Sequence, residues 1–217
     1  MKNIVIFAAN GQIAQLVTKR VLTGAEFEDV NLTLALRQSN RLSELTKNPR
    51  VRLIEADLAK LSDVKKAVAN QDLVFVAVVD HSSDASETQN IITAMQAENV
   101  KRVIYTNILG IYDEVPGEFG RWNKAQVSSG LATCKKSDAL LAASGLDYTT
   151  LRLPWLNDRD EVKYSVTGKN ESYVGVSASR QSVADLVLKI IANPELGKND
   201  SLGLADPDTA GLTRPVY

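Results

Sequence analysis

Short, unbroken runs of apolar residues constrain this chain most. The clearest run, residues 73–79, has seven consecutive apolar side chains, four of them valine. A strand buried on both faces has this pattern, and parallel sheets bury both faces of their strands. Shorter apolar runs lie at residues 4–9, 32–36, 51–54 and 103–105, of which 32–36 and 51–54 each contain one polar residue, Thr33 and Arg52. We therefore predict at least five strands of a parallel sheet.

Segments with a helical period separate these runs. Ile13, Leu16, Val17 and Val21 fall on one helical face, and Gly24 follows where a helix could end. Later segments repeat the same kind of stripe. A regular alternation of strand and helix predicts right-handed βαβ units. The predicted fold class is therefore α/β, with a doubly wound parallel sheet covered by helices on both faces.

The alternation weakens after about residue 153. We predict a single domain over residues 1–217, in which about 153–217 form a small C-terminal lobe. Two segments, 107–129 and 153–179, are predicted to be long loops that follow strands. Both would lie at the carboxyl edge of the sheet, where open α/β folds bind their ligands.

Two rare residue types narrow the possible chemistry. Cys134 is the only cysteine and His81 the only histidine, which excludes an intramolecular disulfide and a Cys/His zinc site. The charges nearly cancel, with 25 Lys and Arg against 26 Asp and Glu, and give no reason to propose a nucleic-acid partner. Neither a run of ~18 apolar residues nor a signal-peptide pattern is present. We expect a cytoplasmic monomer or homodimer that binds a small molecule, with no metal and no membrane partner.

The turn after the first predicted strand has the position of a dinucleotide phosphate loop. A G-x-x-G-x-x-G pattern would place glycines at 8, 11 and 14, but the chain has Ala8, Gly11 and Ala14. Alanine is the smallest replacement, although a positive φ at Ala8 would strain it. An ordinary strand–helix turn with one glycine is the competing interpretation.

Polar residues after the second and third runs suggest further contacts. Arg37 and Arg41 follow the second run, and the first acid comes only at Glu44, which favours a 2′-phosphate over a free ribose hydroxyl. A solvated basic turn is the alternative. After the third run, Asp57 could accept a hydrogen bond from an adenine amine while Leu58 packs on the ring. Asp57 could equally cap a helix.

In this order, these pieces resemble the atypical short-chain dehydrogenase/reductases, the NmrA-like NAD(P)-binding proteins. The matching segments are residues 8–14, 37, 56–58, 100–105, 109–112, 144–149, 151–156 and 177–185. The resemblance covers nearly the whole chain. It implies a Rossmann-type sheet with strand order 3-2-1-4-5-6 and a C-terminal lobe on the substrate side.

The resemblance also implies a set of cofactor contacts, with NADP(H) favoured over NAD(H). The turn would hold the pyrophosphate, Arg37 the 2′-phosphate, and the ends of the fourth, fifth and sixth strands the riboses and the nicotinamide. The predicted cofactor-binding residues are Ala8, Asn10, Gly11, Gln12, Ile13, Arg37, Arg41, Asp57, Leu58, Ala77, Val78, Val79, Thr106, Leu153 and Pro154.

The chain departs from the family at the catalytic centre. Typical short-chain dehydrogenases use a Tyr-x-x-x-Lys pair on the helix after the fifth strand, and those positions fall near Gly130 and Cys134. Neither residue can act as a general acid of that kind. The weak catalytic candidates are Thr106, Asn107, Tyr112 and His81, with Tyr164 and Tyr173 as further tyrosines that could approach a nicotinamide. For each of these, ordinary packing or surface exposure is the alternative.

These observations predict an NADP(H)-binding oxidoreductase that works without the Tyr/Lys dyad. Its acceptor would be a small conjugated or carbonyl compound, preferably quinone- or flavin-like, because such compounds stabilise their own reduced anion. The alternative is a non-catalytic NADP(H) redox sensor of the NmrA-like type. An FMN carrier is disfavoured, because its phosphate loop would be rich in Ser and Thr.

Overall fold

Ten strands and six helices build the protein, and the computed structural model describes all residues 1–217. The strands are β1 (Lys2–Phe7), β2 (Val30–Leu36), β3 (Val51–Glu55), β4 (Leu73–Val76), β5 (Arg102–Ile108), β6 (Asp147–Leu153), β7 (Trp155–Asn157), β8 (Ser165–Thr167), β9 (Ser177–Ser179) and β10 (Asp200–Ala205). The helices are α1 (Gln12–Thr23), α2 (Leu61–Val68), α3 (Ser86–Ala97), α4 (Gly117–Gln126), α5 (Ser128–Ala143) and α6 (Arg180–Ala192).

Eight of the strands form one sheet, in the order β3-β2-β1-β4-β5-β6-β10-β8. All neighbours in it are parallel except β10 and β8, and β7 and β9 form a separate parallel pair. The predicted α/β class and the strand order 3-2-1-4-5-6 are confirmed. β10 and β8 extend that sheet beyond β6.

The sheet is buried on both faces, which explains the unbroken apolar runs. Along β1, Ile4 and Ile6 lie in one core, while Val5 and Phe7 lie in the other. Helices α1 and α6 cover the first core, and α2, α3 and α5 cover the second. Residues of the central strands therefore meet a helix whichever way their side chains point, whereas the edge strands β3 and β8 keep exposed residues.

The prediction of one long loop over 107–129 is wrong. Strand β5 continues to Ile108, and helix α4 occupies Gly117–Gln126. Two glycines and few apolar residues hide this helix from sequence analysis, since both features oppose helix formation. Gly120 allows α4 to approach the preceding loop so closely that a Cβ there would lie 1.9 Å from the Val115 carbonyl oxygen. Tertiary contact therefore stabilises α4.

The segment 153–179 contains only the three short strands β7, β8 and β9. The chain then returns to the main core, because α6 packs against α1 and β10 pairs with β6. No helix of the protein is long and apolar enough to cross a lipid bilayer.

Candidate functional site

The turn between β1 and α1 has an unusual backbone at Ala8. Its φ is +55°, in the left-handed region that favours glycine. The Ala9 amide donates to the Ala35 carbonyl at 3.2 Å, and the Gly11 amide donates to the Ala8 carbonyl at 2.9 Å. The turn is therefore held in place although its first residue lacks the preferred glycine.

Backbone amides are free to donate hydrogen bonds where Gly11 leads into the first turn of α1. A Cβ on Gly11 would lie 3.3 Å from the Ala8 carbonyl oxygen, whereas the φ of Gly11, −69°, is one that any residue adopts. The amides of Gln12, Ile13 and Ala14 donate no hydrogen bond within the chain. Free amides at a helix N-terminus favour an anion, through their hydrogen bonds and the helix dipole.

Beside the turn lies a cavity of about 180 Å³, which we call the polar cavity. It is bounded by the carboxyl ends of β1, β2, β3 and β4. Its lining residues are Phe7, Ala8, Asn10, Leu36, Arg37, Ala56, Asp57, Leu58, Val78, His81 and Glu87. Six residues predicted to bind a cofactor therefore meet here, although they come from four separate parts of the sequence.

Arg37 is the cation of this cavity that is free to bind an anion. Its guanidinium is exposed and makes no hydrogen bond or ion pair within the chain. Arg41 is exposed as well but does not line the cavity. The carboxylate of Asp57 accepts from the Ala59 amide at 3.0 Å, and α2 begins only after Lys60, so Asp57 does not cap that helix.

His81 lies at the Arg37 end of the site. Its side chain is exposed and lines the polar cavity, and its amide donates to Glu87 Oε2 at 3.1 Å. This location, in the same cavity as Arg37, favours contact with a cofactor over the catalytic role considered for His81.

The ends of β5 and β6 hold the other predicted contacts. Asn107 is fully engaged, since its Nδ2 donates to the Cys134 carbonyl at 3.0 Å and its Oδ1 accepts from the Ile108 amide at 2.8 Å. The hydroxyl of Thr106 has no hydrogen-bond partner in the chain and is not among the fully buried polar atoms that lack one. The carbonyl of Leu153, at the end of β6, accepts a hydrogen bond from the Leu109 amide, just after β5, at 3.1 Å. Thr106 is therefore the candidate with an available polar group.

Tyr112 is committed to packing. Its hydroxyl donates to Asp138 Oδ2 at 2.5 Å, and its ring contacts the Arg152 guanidinium and the Lys169 ammonium, 5.3 and 4.9 Å from the ring centre. Burial, and then the hydrogen bond to Asp138, raise the pKa of Tyr112 above its ordinary value. Such a phenol is a poor proton donor.

The other two tyrosine candidates are also engaged. The Tyr164 hydroxyl donates to Asp185 at 2.7 Å, and the Tyr173 hydroxyl donates to the Leu204 carbonyl at 2.8 Å. These contacts favour the packing interpretation for both residues.

Sequence analysis missed a buried ion pair beside the site. Arg152 and Glu114 lie 2.7 Å apart, with side chains 0% and 3% exposed. Arg152 also donates to three backbone carbonyls, and Glu114 accepts from the amides of Gly110 and Tyr112. The pair anchors the loop before α4 to the end of β6. The one signal in the sequence was a charged residue inside the apolar stretch 151–154.

The NAD(P)H-binding family model matches residues 8–194. The chain belongs to this NAD(P)H-binding family. It is an atypical short-chain dehydrogenase/reductase, as the resemblance in the sequence implied. No curated protein matches it.

Two solved structures show how similar the relatives of this NAD(P)H-binding protein are. A short-chain dehydrogenase/reductase from Veillonella parvula in complex with NADP is 28% identical to this chain, with a TM-score of 0.91. The match covers 100% of this chain and 99% of the Veillonella chain. A Rossmann-fold NAD(P)-binding family protein from Shigella flexneri is 31% identical with a TM-score of 0.80, over the same shares of both chains. The resemblance therefore extends over the full length.

Gly130 and Cys134, which the resemblance in the sequence aligns with the Tyr/Lys pair, lie on α5 of this NAD(P)H-binding protein. Gly130 has no side chain, and Cys134 is 3% exposed. Burial raises the pKa of the Cys134 thiol to about 11. The neighbouring Lys135 binds Asp113 at 3.0 Å.

Proposed function

We propose that this protein is an NADP(H)-dependent oxidoreductase that reduces a quinone- or flavin-like acceptor. The observation that carries the proposal is the free guanidinium of Arg37 in the polar cavity, next to a turn with three free amides. One site thus offers donors for two separate anionic groups, a pyrophosphate and a 2′-phosphate.

The residues present fit NADP(H). The amides of 12–14 would hold the pyrophosphate, because free amides at a helix N-terminus bind phosphate oxygens. Arg37 would bind the 2′-phosphate through charge-assisted hydrogen bonds. Asp57 and Leu58 line the same cavity and suit the polar edge and the flat face of an adenine. The relative from Veillonella parvula, which binds NADP, supports the same choice of cofactor.

The other end of the site supports an acceptor that needs little help with protonation. A nicotinamide bound here would supply the hydride; Thr106, Leu153 and Pro154 would border it, and the segment that follows β6 would lie on the substrate side. No tyrosine is paired with a lysine at 130 and 134. A carbonyl reduced to an alkoxide needs a positioned acid, worth ~10²–10⁴ in rate, whereas a quinone or flavin delocalises its negative charge.

The test is a comparison of kcat/KM for a quinone, a flavin and an aliphatic aldehyde, with NADPH in excess. We expect measurable turnover of the quinone or flavin and very slow turnover of the aldehyde. A faster reaction with the aldehyde, lost on mutation of one tyrosine, would show that an acid exists elsewhere and would overturn the proposed acceptor class.

A non-catalytic NADP(H) sensor is the second candidate. The strained Ala8 and the absence of a Tyr/Lys pair at 130 and 134 favour it, since both weaken the case for efficient turnover. Tight NADPH binding by calorimetry, together with no oxidation of NADPH by any acceptor of the panel, would support the sensor over the enzyme.

A further inference from the structure

A second cavity, larger than the polar cavity, lies on another part of the protein. It is a groove of about 650 Å³ along the outer face of α1, which we call the α1 groove. Its lining residues are Ala9, Gln12, Gln15, Leu16, Thr18, Lys19, Leu22, Thr23, Leu45, Asp158, Arg159, Arg180 and Gln181. None of them lines the polar cavity. The two spaces adjoin only at the turn, through Ala9 and Gln12.

Positive charge dominates the α1 groove. Lys19, Arg159 and Arg180 line it against one carboxylate, Asp158. Arg180 is paired with Asp158 at 2.8 Å, and Arg159 contacts Glu161 only at 3.8 Å. Lys19 makes no ion pair or side-chain hydrogen bond within the chain. The groove therefore carries two more positive charges than negative ones, and it suits an anionic group.

The rest of the α1 groove suits a hydrocarbon. Leu16, Leu22 and Leu45 line it, and its wall is mostly apolar. From Gln12 to Thr23 the helix alongside is roughly 16 Å long. A ligand with one charged end and an extended apolar body matches both the length and the distribution of charge.

We propose that the α1 groove binds an amphiphilic monocarboxylate of the fatty-acid class. The carboxylate lies against Lys19 and Arg159, and the chain lies along Leu16 and Leu22. This site adjoins the turn at Ala9 and Gln12 but extends away from it along α1, outside the polar cavity and the acceptor site of the proposed function.

The test is calorimetric titration of the cofactor-free protein with dodecanoate, kept below the concentration at which it aggregates. We expect one site per chain, and binding about tenfold or more weaker for dodecyltrimethylammonium, which has the wrong charge, and for acetate, which has no apolar body. Because NADPH is absent, failure of the proposed enzyme activity leaves this result unaffected.

Three variants locate the site. Lys19→Glu and Arg159→Glu should each weaken dodecanoate binding about tenfold or more, because each replaces a cation of the groove by an anion. The control is Lys66→Glu, an exposed lysine of α2 on the opposite face of the sheet, which changes the net charge equally and should leave the affinity unchanged. Thermal unfolding by circular dichroism checks that each variant is folded.

Four results would overturn the proposal. They are no binding of dodecanoate to the folded protein, binding only above its aggregation concentration, equal losses in Lys19→Glu and Lys66→Glu, and competitive displacement of dodecanoate by NADPH. The last result would place the ligand in the cofactor site.

Discussion

At the scale of single residues, Ala8 is one of two alanines, with Ala85, whose backbone lies in the left-handed region. Replacement by glycine relieves a left-handed conformation that costs an L-residue roughly 1–2 kcal/mol, offset in part by the greater freedom of glycine in the unfolded chain. We expect Ala8→Gly to raise the free energy of unfolding by up to about 1 kcal/mol, measured by urea denaturation.

The matched control for Ala8→Gly is the adjacent Ala9→Gly. Ala9 is buried and its φ is not positive, so glycine there should lower the free energy of unfolding. Equal losses in both variants would contradict the assignment of strain to Ala8.

Arg37 is the residue on which cofactor choice should depend. Arg37→Ala removes a charge-assisted contact with the 2′-phosphate worth about 1.5–3 kcal/mol, which corresponds to a rise of roughly 10- to 150-fold in the Kd of NADPH. The Kd of NADH should stay nearly constant, because NADH has no 2′-phosphate. Calorimetric titration with both cofactors measures the difference.

Arg41→Ala is the comparison for Arg37→Ala, because Arg41 carries the same charge nearby but lies outside the polar cavity. We expect a much smaller effect on NADPH. Equal affinities of the native protein for NADPH and NADH would contradict the preference altogether.

At the scale of elements, sequence predicts the sheet better than the helix that borders the site. Strands β1 to β5 were visible because both their faces are buried, which leaves unbroken apolar runs. Helix α4 was not visible, because its two glycines oppose a helical pattern and Phe119 is buried against Tyr173 and Val176, which only the folded chain brings close. The ion pair of Glu114 and Arg152 joins residues 38 positions apart, and only the folded chain brings them together.

That ion pair should stabilise the loop before α4. Glu114→Ala leaves the Arg152 guanidinium buried without its counter-charge, which typically costs about 3–5 kcal/mol of unfolding free energy. Urea denaturation measures the loss. The control is Glu118→Ala, whose partner Arg214 lies at 3.1 Å with both side chains about half exposed. Glu118→Ala should lower the free energy of unfolding by less than about 1 kcal/mol. A loss as small as that in Glu114→Ala would show that the buried pair is dispensable.

At the scale of the whole molecule, buried phenols predict sensitivity to alkali. Burial raises the pKa of Tyr105, Tyr112 and Tyr173 above the ordinary value of about 10. Above about pH 10 the unfolded chain loses these protons while the folded chain keeps them. The contribution of these phenols to the free energy of unfolding is therefore complete below about pH 10. Above that pH it falls by about 1.4 kcal/mol per pH unit for each phenol.

Tyr173→Phe should reduce this slope, because it removes one of the three phenols. The matched variant is Tyr217→Phe, since Tyr217 is 74% exposed and its loss should leave the slope unchanged. Urea midpoints from about pH 8 to about pH 11 give both slopes. An unchanged slope in Tyr173→Phe would contradict a protonated, buried Tyr173.

The pairing of α1 with α6 has a consequence for how the chain is made. The ribosome releases α1 and the strands it covers long before residues 180–192, which complete the same core. Until then the nascent protein exposes one apolar face of an otherwise assembled sheet, and exposed apolar surface of this kind promotes aggregation. The synthesis of α6 therefore determines when this apolar face is covered and the new protein stops being prone to aggregation.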